Sequence, residues 1–351
     1  MAAISPSRRP LEGDVTLRAG GFSARVNVRV LLLAALVALL ALALAAWAMT
    51  LGSFPLTVSE VIAALRGEGD PRQDLVVRGL RLPRVLAALA VGAALAVSGL
   101  IFQGLVRNPL VSPDVIGIES GATVAGVFWI VSGFDPALLP LAAFVGAIAA
   151  ATAIATLAWK GGIGAERLVL VGIGIAAIGS AGTTFLLVRS MLEEALPAQV
   201  WLMGSLSGSN DVDVRRMGLG LLILIPVALV MAVPLRTLQL GDEVARGLGV
   251  PLESTRLMLI LIGCALSATA VAVAGPIGFV ALIAPQLARG IGGPPSPSLV
   301  VLTAAVGSLM LLGSDIVAQH MLPVSLPVGV VTAIVGAPWL LWLLYRANVR
   351  L

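Results

Sequence analysis

Long apolar runs alternate with short polar turns along nearly the whole chain. A helix needs about 20 apolar residues to cross the ~30 Å hydrocarbon core of a bilayer, and most of the runs approach that length. The pattern therefore predicts an all-α integral membrane protein with ten transmembrane helices. The predicted helices are Val30–Leu51, Val85–Val106, Val115–Val131, Leu138–Trp159, Leu168–Val188, Met217–Val233, Leu257–Ala274, Ile277–Ile291, Ser298–Leu312 and Val328–Tyr345.

The second run has the most distinctive borders. Arg81-Leu-Pro-Arg84 comes directly before it, and the helix is predicted to begin at Val85 and to continue to Val106 without a charge. It ends at Arg107-Asn-Pro-Leu-Val-Ser-Pro-Asp114, where two prolines break the helical pattern. The proline- and glycine-rich stretch between the first two runs is predicted to be a loop.

Composition supports the membrane assignment. Of the 351 residues, 59% are hydrophobic and only 11% are charged, whereas soluble domains carry roughly 25% charged residues. The single cysteine, Cys264, excludes an internal disulfide framework and a cysteine-based metal site. The 39 glycines allow helices to approach one another closely in lipid.

The basic residues predict the orientation of the helices, because cytosolic loops carry an excess of lysine and arginine. With the amino terminus inside, the inner side has a net charge of +6 and the outer side −2, in agreement with the +4 of the whole chain. Both termini are therefore predicted to be cytosolic, with residues 1–29 as a tail ahead of a ten-helix domain at 30–351. This orientation accounts for the net positive charge of the chain, so no nucleic-acid partner is expected.

The residue types that most catalytic sites need are scarce. The chain has one histidine, His320, and one lysine, Lys160, which does not close a glycine-rich phosphate loop. The predicted helices have neutral middles, unlike those of proton-coupled transporters. We predict a conduit that is not an enzyme and binds no metal or cofactor. An intramembrane enzyme is the distant alternative, and its candidate serine and carboxylate pairs are Ser98 or Ser120 with Asp114 or Glu119.

A segment on the predicted cytosolic side, residues 240–250, is too short to cross a membrane but has helical signals. Glycines flank it, as is typical of helix ends. Leu240, Val244 and Leu248 recur at i, i+4 and i+8 and so form one apolar stripe. The stripe predicts either a helix packed on its own bundle or a helix that docks into a cleft on a cytosolic partner.

Short, distinct sequence motifs are spread from about residue 30 to the end of the chain. They are Arg81-Leu-Pro-Arg84, Gly92-Ala-Ala-Leu-Ala96, Ser98-Gly99, Gln103-Gly104, Arg107-Asn-Pro-Leu110, Gly121-Ala122, Trp201-Leu-Met-Gly-Ser-Leu206, Leu240-Gly-Asp-Glu-Val-Ala-Arg-Gly-Leu-Gly249, Gly275-Pro-Ile-Gly-Phe279, Ala284-Pro-Gln-Leu-Ala-Arg289, Asp315, Leu326-Pro-Val-Gly-Val-Val-Thr332 and Gly336-Ala-Pro338. In this order they resemble the FecCD family of permeases of binding-protein-dependent ABC importers. The resemblance implies a type II importer fold, assembled from two ten-helix permeases, two cytosolic ATPases that bind ATP and Mg²⁺, and an extracytoplasmic binding protein.

The resemblance also implies roles for individual residues. Arg81 and Arg84 match arginines that dock the binding protein, and Gln319 stands where the family often has a third. Anchoring of a helix end at the membrane surface is the other reading of these arginines. The residues implied in ATPase coupling are Leu240, Gly241, Asp242, Glu243, Arg246, Gly247 and Gly249. Those of the motif turn are Arg107, Asn108, Pro109 and Asp114. The fifth and tenth predicted helices are implied to line the path at a permease dimer interface.

Departures from the family pattern refine this reading. Gln286 replaces a frequent histidine, and Glu119 replaces a small polar residue. The variants Ser112-Pro-Asp-Val115 and Ala318-Gln319 look most like the second permease of ferric-enterobactin-type importers, which pairs with a different permease. The resemblance thus implies a heterodimeric ferric siderophore importer in the bacterial cytoplasmic membrane. Haem or cobalamin import by a homodimer is the alternative.

Overall fold

The computed structural model describes residues 14–19, 22–159 and 164–348. Residues 1–13 of the predicted tail, Lys160 and Arg350 lie outside the described residues. The elements are the strands β1 (Asp14–Ala19) and β2 (Phe22–Asn27) and the helices α1 (Val28–Ala48), α2 (Val58–Arg66), α3 (Pro71–Asp74), α4 (Leu82–Val106), α5 (Ile118–Val131), α6 (Leu139–Ala158), α7 (Ala165–Arg189), α8 (Leu192–Leu202), α9 (Asp211–Leu238), α10 (Asp242–Gly247), α11 (Leu252–Ala274), α12 (Val280–Gly292), α13 (Pro297–Ile316) and α14 (Val328–Asn348).

The prediction of an α-helical membrane protein is confirmed. Within the described ranges, eight helical spans are long and apolar enough to cross a membrane. Two further apolar helices, α5 and α12, are shorter, with 14 and 13 residues. Each apolar run predicted from the sequence coincides with one of these spans or with α5 or α12. The apolar helices therefore lie at the positions along the chain that the hydrophobic pattern indicated.

Helix α4 is the central element of the bundle. It packs against α9, α11, α12 and α13, and 78% of its most apolar 18-residue stretch is buried. Gly92 meets Gly307 of α13 so closely that a Cβ on either would collide with the backbone of the other. The buried Ser98 Oγ donates a hydrogen bond to the Gly263 carbonyl at 2.7 Å. Small residues on α4 thus allow close packing on several sides, as in other helices that associate in lipid.

The predicted loop between the first two membrane helices is wrong in part. Residues 58–66 and 71–74 are helical, and a π-helical segment, Leu75–Arg81, joins α3 directly to α4. The continuous span Pro71–Val106 has 36 residues, about 54 Å at 1.5 Å per residue, and so extends well beyond a ~30 Å hydrocarbon core. Arg81-Leu-Pro-Arg84 lies inside this continuous helical span. The Leu82 N–H bonds to the Val77 carbonyl, so the wider π-helical turn accommodates the chain just before Pro83, which has no N–H.

Two other elements were not predicted. Helix α8 follows α7 after a short break and contains Pro197. Before α1, β1 and β2 form an antiparallel hairpin in which Asp14 pairs with Asn27. Asn27 then caps α1, because its Oδ1 accepts from the Val30 N–H at 3.2 Å, and its own N–H donates to Ser298 Oγ at 2.9 Å. The hairpin therefore meets α1 and α13 at the amino-terminal end of α1.

Candidate functional site

The predicted docking residues meet at the end of the bundle where α4 begins and α13 ends. Arg84 forms a bidentate ion pair with Asp315, with Nε at 3.0 Å and the second nitrogen at 2.9 Å from the two carboxylate oxygens. The same guanidinium donates to Ser207 Oγ at 3.1 Å, and Gln319 Nε2 donates to Asp315 Oδ2 at 2.5 Å. Arg84 is 21% exposed and Asp315 4%. The structure thus brings Arg84 and Gln319 together on one buried carboxylate.

Arg81 lies beside this cluster and has different partners. Its guanidinium donates to the backbone carbonyls of Met49 at 2.7 Å and Phe54 at 2.5 Å. The positive charge of Arg81 is therefore stabilised by hydrogen bonds to neutral carbonyl oxygens. A cavity of about 560 Å³ contacts Arg81, Arg84, Asp315, Gln319 and His320. Two π-helical segments, Leu75–Arg81 and Val317–Met321, border it. Such segments are frequent at functional sites, because they disturb the regular hydrogen bonding of a helix.

At the opposite end, the motif turn after α4 is an ordered structure. Arg107 has a left-handed backbone with φ 57°, which costs a non-glycine residue about 1 kcal/mol or more. Asn108 Oδ1 accepts from the Leu110 N–H at 2.9 Å, and the Pro109 carbonyl accepts from Gln286 Nε2 at 2.8 Å. The turn is therefore held to α12. The remaining predicted residue, Asp114, has a buried Oδ1 with no hydrogen-bond partner among the described residues.

The segment predicted to be cytosolic forms the expected short helix, α10. Gly241 precedes it and Gly249 follows it, both with positive φ. The side chains of the apolar stripe are exposed by 62%, 49% and 65% at Leu240, Val244 and Leu248. In the isolated chain this stripe does not pack on the chain's own bundle.

Asp242 is the first residue of α10, and its side chain bonds to other elements. Its carboxylate binds the Arg256 guanidinium with both oxygens at 2.7 Å, and Oδ1 also accepts from Arg107 at 2.8 Å. The hydrogen bond from Arg256 is the main reason that the pKa of Asp242 lies below its ordinary value, with the charges of Arg256 and Arg107 adding to the effect. The carboxylate is thus ionised at neutral pH and joins two predicted functional segments.

Comparison with known proteins identifies the family. The model of the FecCD transport family matches residues 29–346. The chain belongs to the FecCD transport family. This FecCD protein is 39% identical to the achromobactin transport system permease protein of Dickeya dadantii, over 94% of this chain and 95% of that protein. It is 41% identical to the ferric enterobactin transport system permease protein of Escherichia coli, over 86% of this chain and 92% of that protein.

The fold of this FecCD protein is also found among solved structures. An inward-facing metal-chelate type ABC transporter is similar with a TM-score of 0.82 and 31% identity, over 91% of this chain and 99% of that one. The resemblance stated from the motifs is thereby confirmed. The chain is a transport permease, and its apolar helices make it a multi-pass protein of the bacterial inner membrane, as predicted.

The serines of the alternative enzyme hypothesis have structural partners in the FecCD permease. Ser98 donates to a backbone carbonyl of α11, and Ser120 Oγ donates to the Gly117 carbonyl at 2.6 Å. The buried Glu119 instead accepts from Ser267 Oγ at 3.1 Å. Among the described residues, neither serine hydroxyl is hydrogen-bonded to a general base, the arrangement that a nucleophile requires.

Sequence reasoning missed the partners of the predicted site residues. Asp315 was noted as part of a motif without a role, and Arg256 and Ser267 were not singled out. Arg84 and Asp315 are 231 positions apart, and Asp242 and Arg256 are 14 apart with the end of α10 between them. A signal existed for Asp315, because it lies just beyond the ninth apolar run with Ile316 and Val317 after it, and an acid in such a position needs a partner when it is buried.

Proposed function

We propose that this permease is one of two membrane subunits through which a ferric siderophore crosses the bacterial cytoplasmic membrane. The similarity that carries the proposal extends over nearly the whole chain. Both relatives described above bear names of siderophore systems, achromobactin and ferric enterobactin. Two cytosolic ATPase subunits, which bind ATP and Mg²⁺, supply the energy.

In this proposal the chain crosses the membrane ten times, with both termini in the cytosol. The eight long spans together with α5 and α12 make up the ten crossings. The charge difference between the two sides supports the orientation, because it follows the distribution of basic residues in membrane proteins. The Arg84–Asp315 cluster then lies on the outer side and α10 on the cytosolic side.

A second, different permease completes the path. Helices α7 and α14, the fifth and tenth predicted crossings, have only 22% and 28% of their most apolar stretches buried within the chain. This leaves surface for a dimer interface, but α1 and α9 are only 22% and 17% buried, so it is the family resemblance that selects α7 and α14 for this role. The binding protein docks over the cavity that contains Arg81 and Arg84, where carboxylates on its surface orient the encounter more than they add affinity.

Coupling to the ATPases takes place at α10. Its exposed apolar stripe of Leu240, Val244 and Leu248 fits a cleft on a cytosolic partner, as helix-in-groove recognition requires. ATP binding closes the ATPases and moves α10, and the dimer switches between outward-open and inward-open states. Substrate released by the binding protein passes through the opened path.

Uptake in cells tests the proposed substrate. A strain without this gene is grown in iron-limited medium and supplied with ⁵⁵Fe bound to catecholate, hydroxamate or citrate-type chelators, or with labelled haem or cobalamin. We expect loss of uptake for one ferric siderophore, restored by the wild-type gene but not by Leu248→Asp, with Leu248→Ala as the matched control. Loss of haem or cobalamin uptake alone, with a single permease type in the purified importer, contradicts the proposal.

A further inference from the structure

We infer that Asp242 is a positioning residue that transmits the movement of α10 to the cytosolic ends of α4 and α11. This inference rests on the proposed function of α10 as the ATPase-coupling helix. It assigns to Asp242 a role inside the permease, on the side of α10 that faces away from the proposed ATPase surface.

The first observation is the double ion pair. Both carboxylate oxygens of Asp242 bind Arg256, in the second turn of α11, and Oδ1 is shared with Arg107, which ends α4. Arg256 is only 13% exposed, whereas Asp242 and Arg107 are 42% and 44% exposed. Charge-assisted hydrogen bonds of this length fix both distance and direction. One side chain therefore connects three elements.

The second observation is the division of α10 into two faces. Within α10, at 100° per residue, Val244 lies about 160° around the helix from Asp242. Leu240 and Leu248 flank the helix and are exposed like Val244. Ala245 is completely buried, whereas the side chains of Leu240, Val244 and Leu248 are exposed. The helix thus has one face available to a partner and one face bound to the bundle.

The third observation concerns the mechanical link between α10 and the bundle. Gly241 and Gly249 flank α10, both with positive φ, and glycine gives the chain freedom to bend at these points. The covalent connections alone would therefore allow α10 to tilt without moving α9 or α11. The ion pairs of Asp242 oppose such a tilt, together with the buried contact of Ala245, because the pairs would have to break.

The fourth observation concerns the elements that a movement of α10 would reach through Arg107. Arg107 has a strained left-handed backbone, and its turn is bonded to α12 through Pro109 and Gln286. Arg107 also ends α4, which packs on α9, α11, α12 and α13. A displacement of Arg107 is thus passed to the central helix of the bundle. Coupling between distant sites requires such a contiguous set of packed and bonded groups.

The test uses the complete importer in proteoliposomes, with both permeases, the ATPases, the binding protein and a ⁵⁵Fe-siderophore. For Asp242→Asn we expect ATPase subunits to copurify as in the wild type and ATP hydrolysis to continue. Uptake per ATP is expected to fall about fivefold, the factor for loss of a partly exposed ion pair. Asp242→Glu restores most of the ratio, and Glu166→Gln, an exposed acid in the first turn of α7, leaves it unchanged.

A second readout does not depend on the substrate. Spin labels at Leu110 and Glu166, in a Cys264→Ala background, report the distance between the cytosolic ends of α4 and α7. ATP changes this distance in the wild type, and we expect Asp242→Asn to abolish the change. If the wild type shows the ATP-dependent change but takes up no siderophore, the substrate proposal fails and the role of Asp242 is still decided by the label distance.

Three results overturn the inference. The first is an unchanged uptake-to-ATP ratio and label distance change in Asp242→Asn. The second is loss of the ATPases from the purified complex, because Asp242 would then belong to the ATPase contact itself. The third concerns an Asp242→Asn variant that does not accumulate in the membrane. Arg107→Gln, which leaves the Arg256 pair in place, is then tested instead. A wild-type uptake-to-ATP ratio and a wild-type distance change in Arg107→Gln overturn the inference.

Discussion

At the scale of single residues, the Arg84–Asp315 pair changes what a charge substitution at Arg84 would measure. If Arg81 and Arg84 served only the binding protein, reversing both charges would weaken docking and leave assembly intact. In the structure, a carboxylate at position 84 would face the buried carboxylate of Asp315. Repulsion between two poorly solvated carboxylates destabilises the bundle itself. Docking and folding therefore have to be separated by other substitutions.

Arg84→Ala is expected to lower the free energy of unfolding by about 3 kcal/mol, because it leaves Asp315 buried without a counter-charge. The double variant Arg84→Ala/Asp315→Ala should recover most of this loss, since no buried charge remains. Thermal unfolding of the purified permease in detergent measures both changes. Arg189→Ala, at an exposed arginine that ends α7, is the control and should change stability by less than about 0.5 kcal/mol.

The same double variant tests docking. It lacks the Arg84 guanidinium but retains a stable fold, so its affinity for the binding protein reports the docking role alone. We expect weaker binding that depends less on salt, as for the loss of a charge at the rim of an interface. Wild-type affinity in a well-folded double variant would show that Arg84 serves only the bundle.

The pKa of Asp242 gives a prediction about pH. Because Arg256 and Arg107 lower this pKa in the folded protein, the carboxylate contributes stability above the unfolded-state value, and the contribution is lost as pH falls through the folded-state value. A spin label at Leu248 should therefore remain ordered from pH 7 to about pH 5 and gain mobility only at more acidic pH. Loss of order between pH 7 and pH 5 would contradict this assignment. Asp242→Asn should be mobile at every pH.

At the scale of elements, close approach between helices depends on glycines at particular positions. Gly92 on α4 and Gly307 on α13 are in mutual backbone contact, whereas a Cβ added at Gly174 on α7 would have no neighbouring atom within 4 Å. All three are helical glycines in apolar segments. Their sequence context does not distinguish them, but their surroundings in the fold do.

Gly92→Ala and Gly174→Ala form a matched pair. We expect Gly92→Ala to destabilise the permease by about 1–3 kcal/mol, because the added methyl group overpacks the contact with α13. Gly174→Ala should be neutral or stabilising by up to about 1 kcal/mol, since alanine is the better helix former. Thermal unfolding in detergent compares the two. Equal shifts in both variants would mean that the α4–α13 contact is not close-packed.

The hydrophobic pattern predicted the long elements well and the short ones poorly. The end of α11 at Ala274 and that of α5 at Val131 fall where the apolar runs stop, because charges and helix breakers limit what can lie in hydrocarbon. The segment between the first two membrane helices, which contains α2, was predicted to be a loop. Its helix begins with a capping box between Thr57 and Glu60, a signal that was present but hidden among prolines and glycines.

The candidate sites were predicted as positions but not as contacts. Arg84, Gln319 and Asp242 were selected from motifs, and the structure places each in a bonded cluster. The partners were missed because they come from distant elements, and a motif has no information about which helices become neighbours. Helix packing in lipid is set by small-residue surfaces, and alanine- and glycine-rich helices offer many such surfaces.

At the scale of the whole molecule, the orientation in the membrane decides which partner meets which site. We predict that a cysteine at Glu68, in the segment after α2, reacts with a membrane-impermeant maleimide in intact cells. A cysteine at Glu243 on α10 should react only after the inner membrane is permeabilised. Both are made in a Cys264→Ala background, although Cys264 is buried. The reverse pattern would place α10 outside and contradict the proposed coupling role.

The central place of α4 has a consequence for how the chain is made. This helix enters the membrane early in synthesis, but the helix that meets Gly92, α13, lies near the carboxyl end of the chain. Until α13 is inserted, the nascent protein leaves the small-residue surface of α4 in contact with lipid or with provisional neighbours. Contacts between such distant segments form late and slowly. Chains that stop short of α13 therefore lack a finished core, which makes them recognisable to the proteases that clear incomplete membrane proteins.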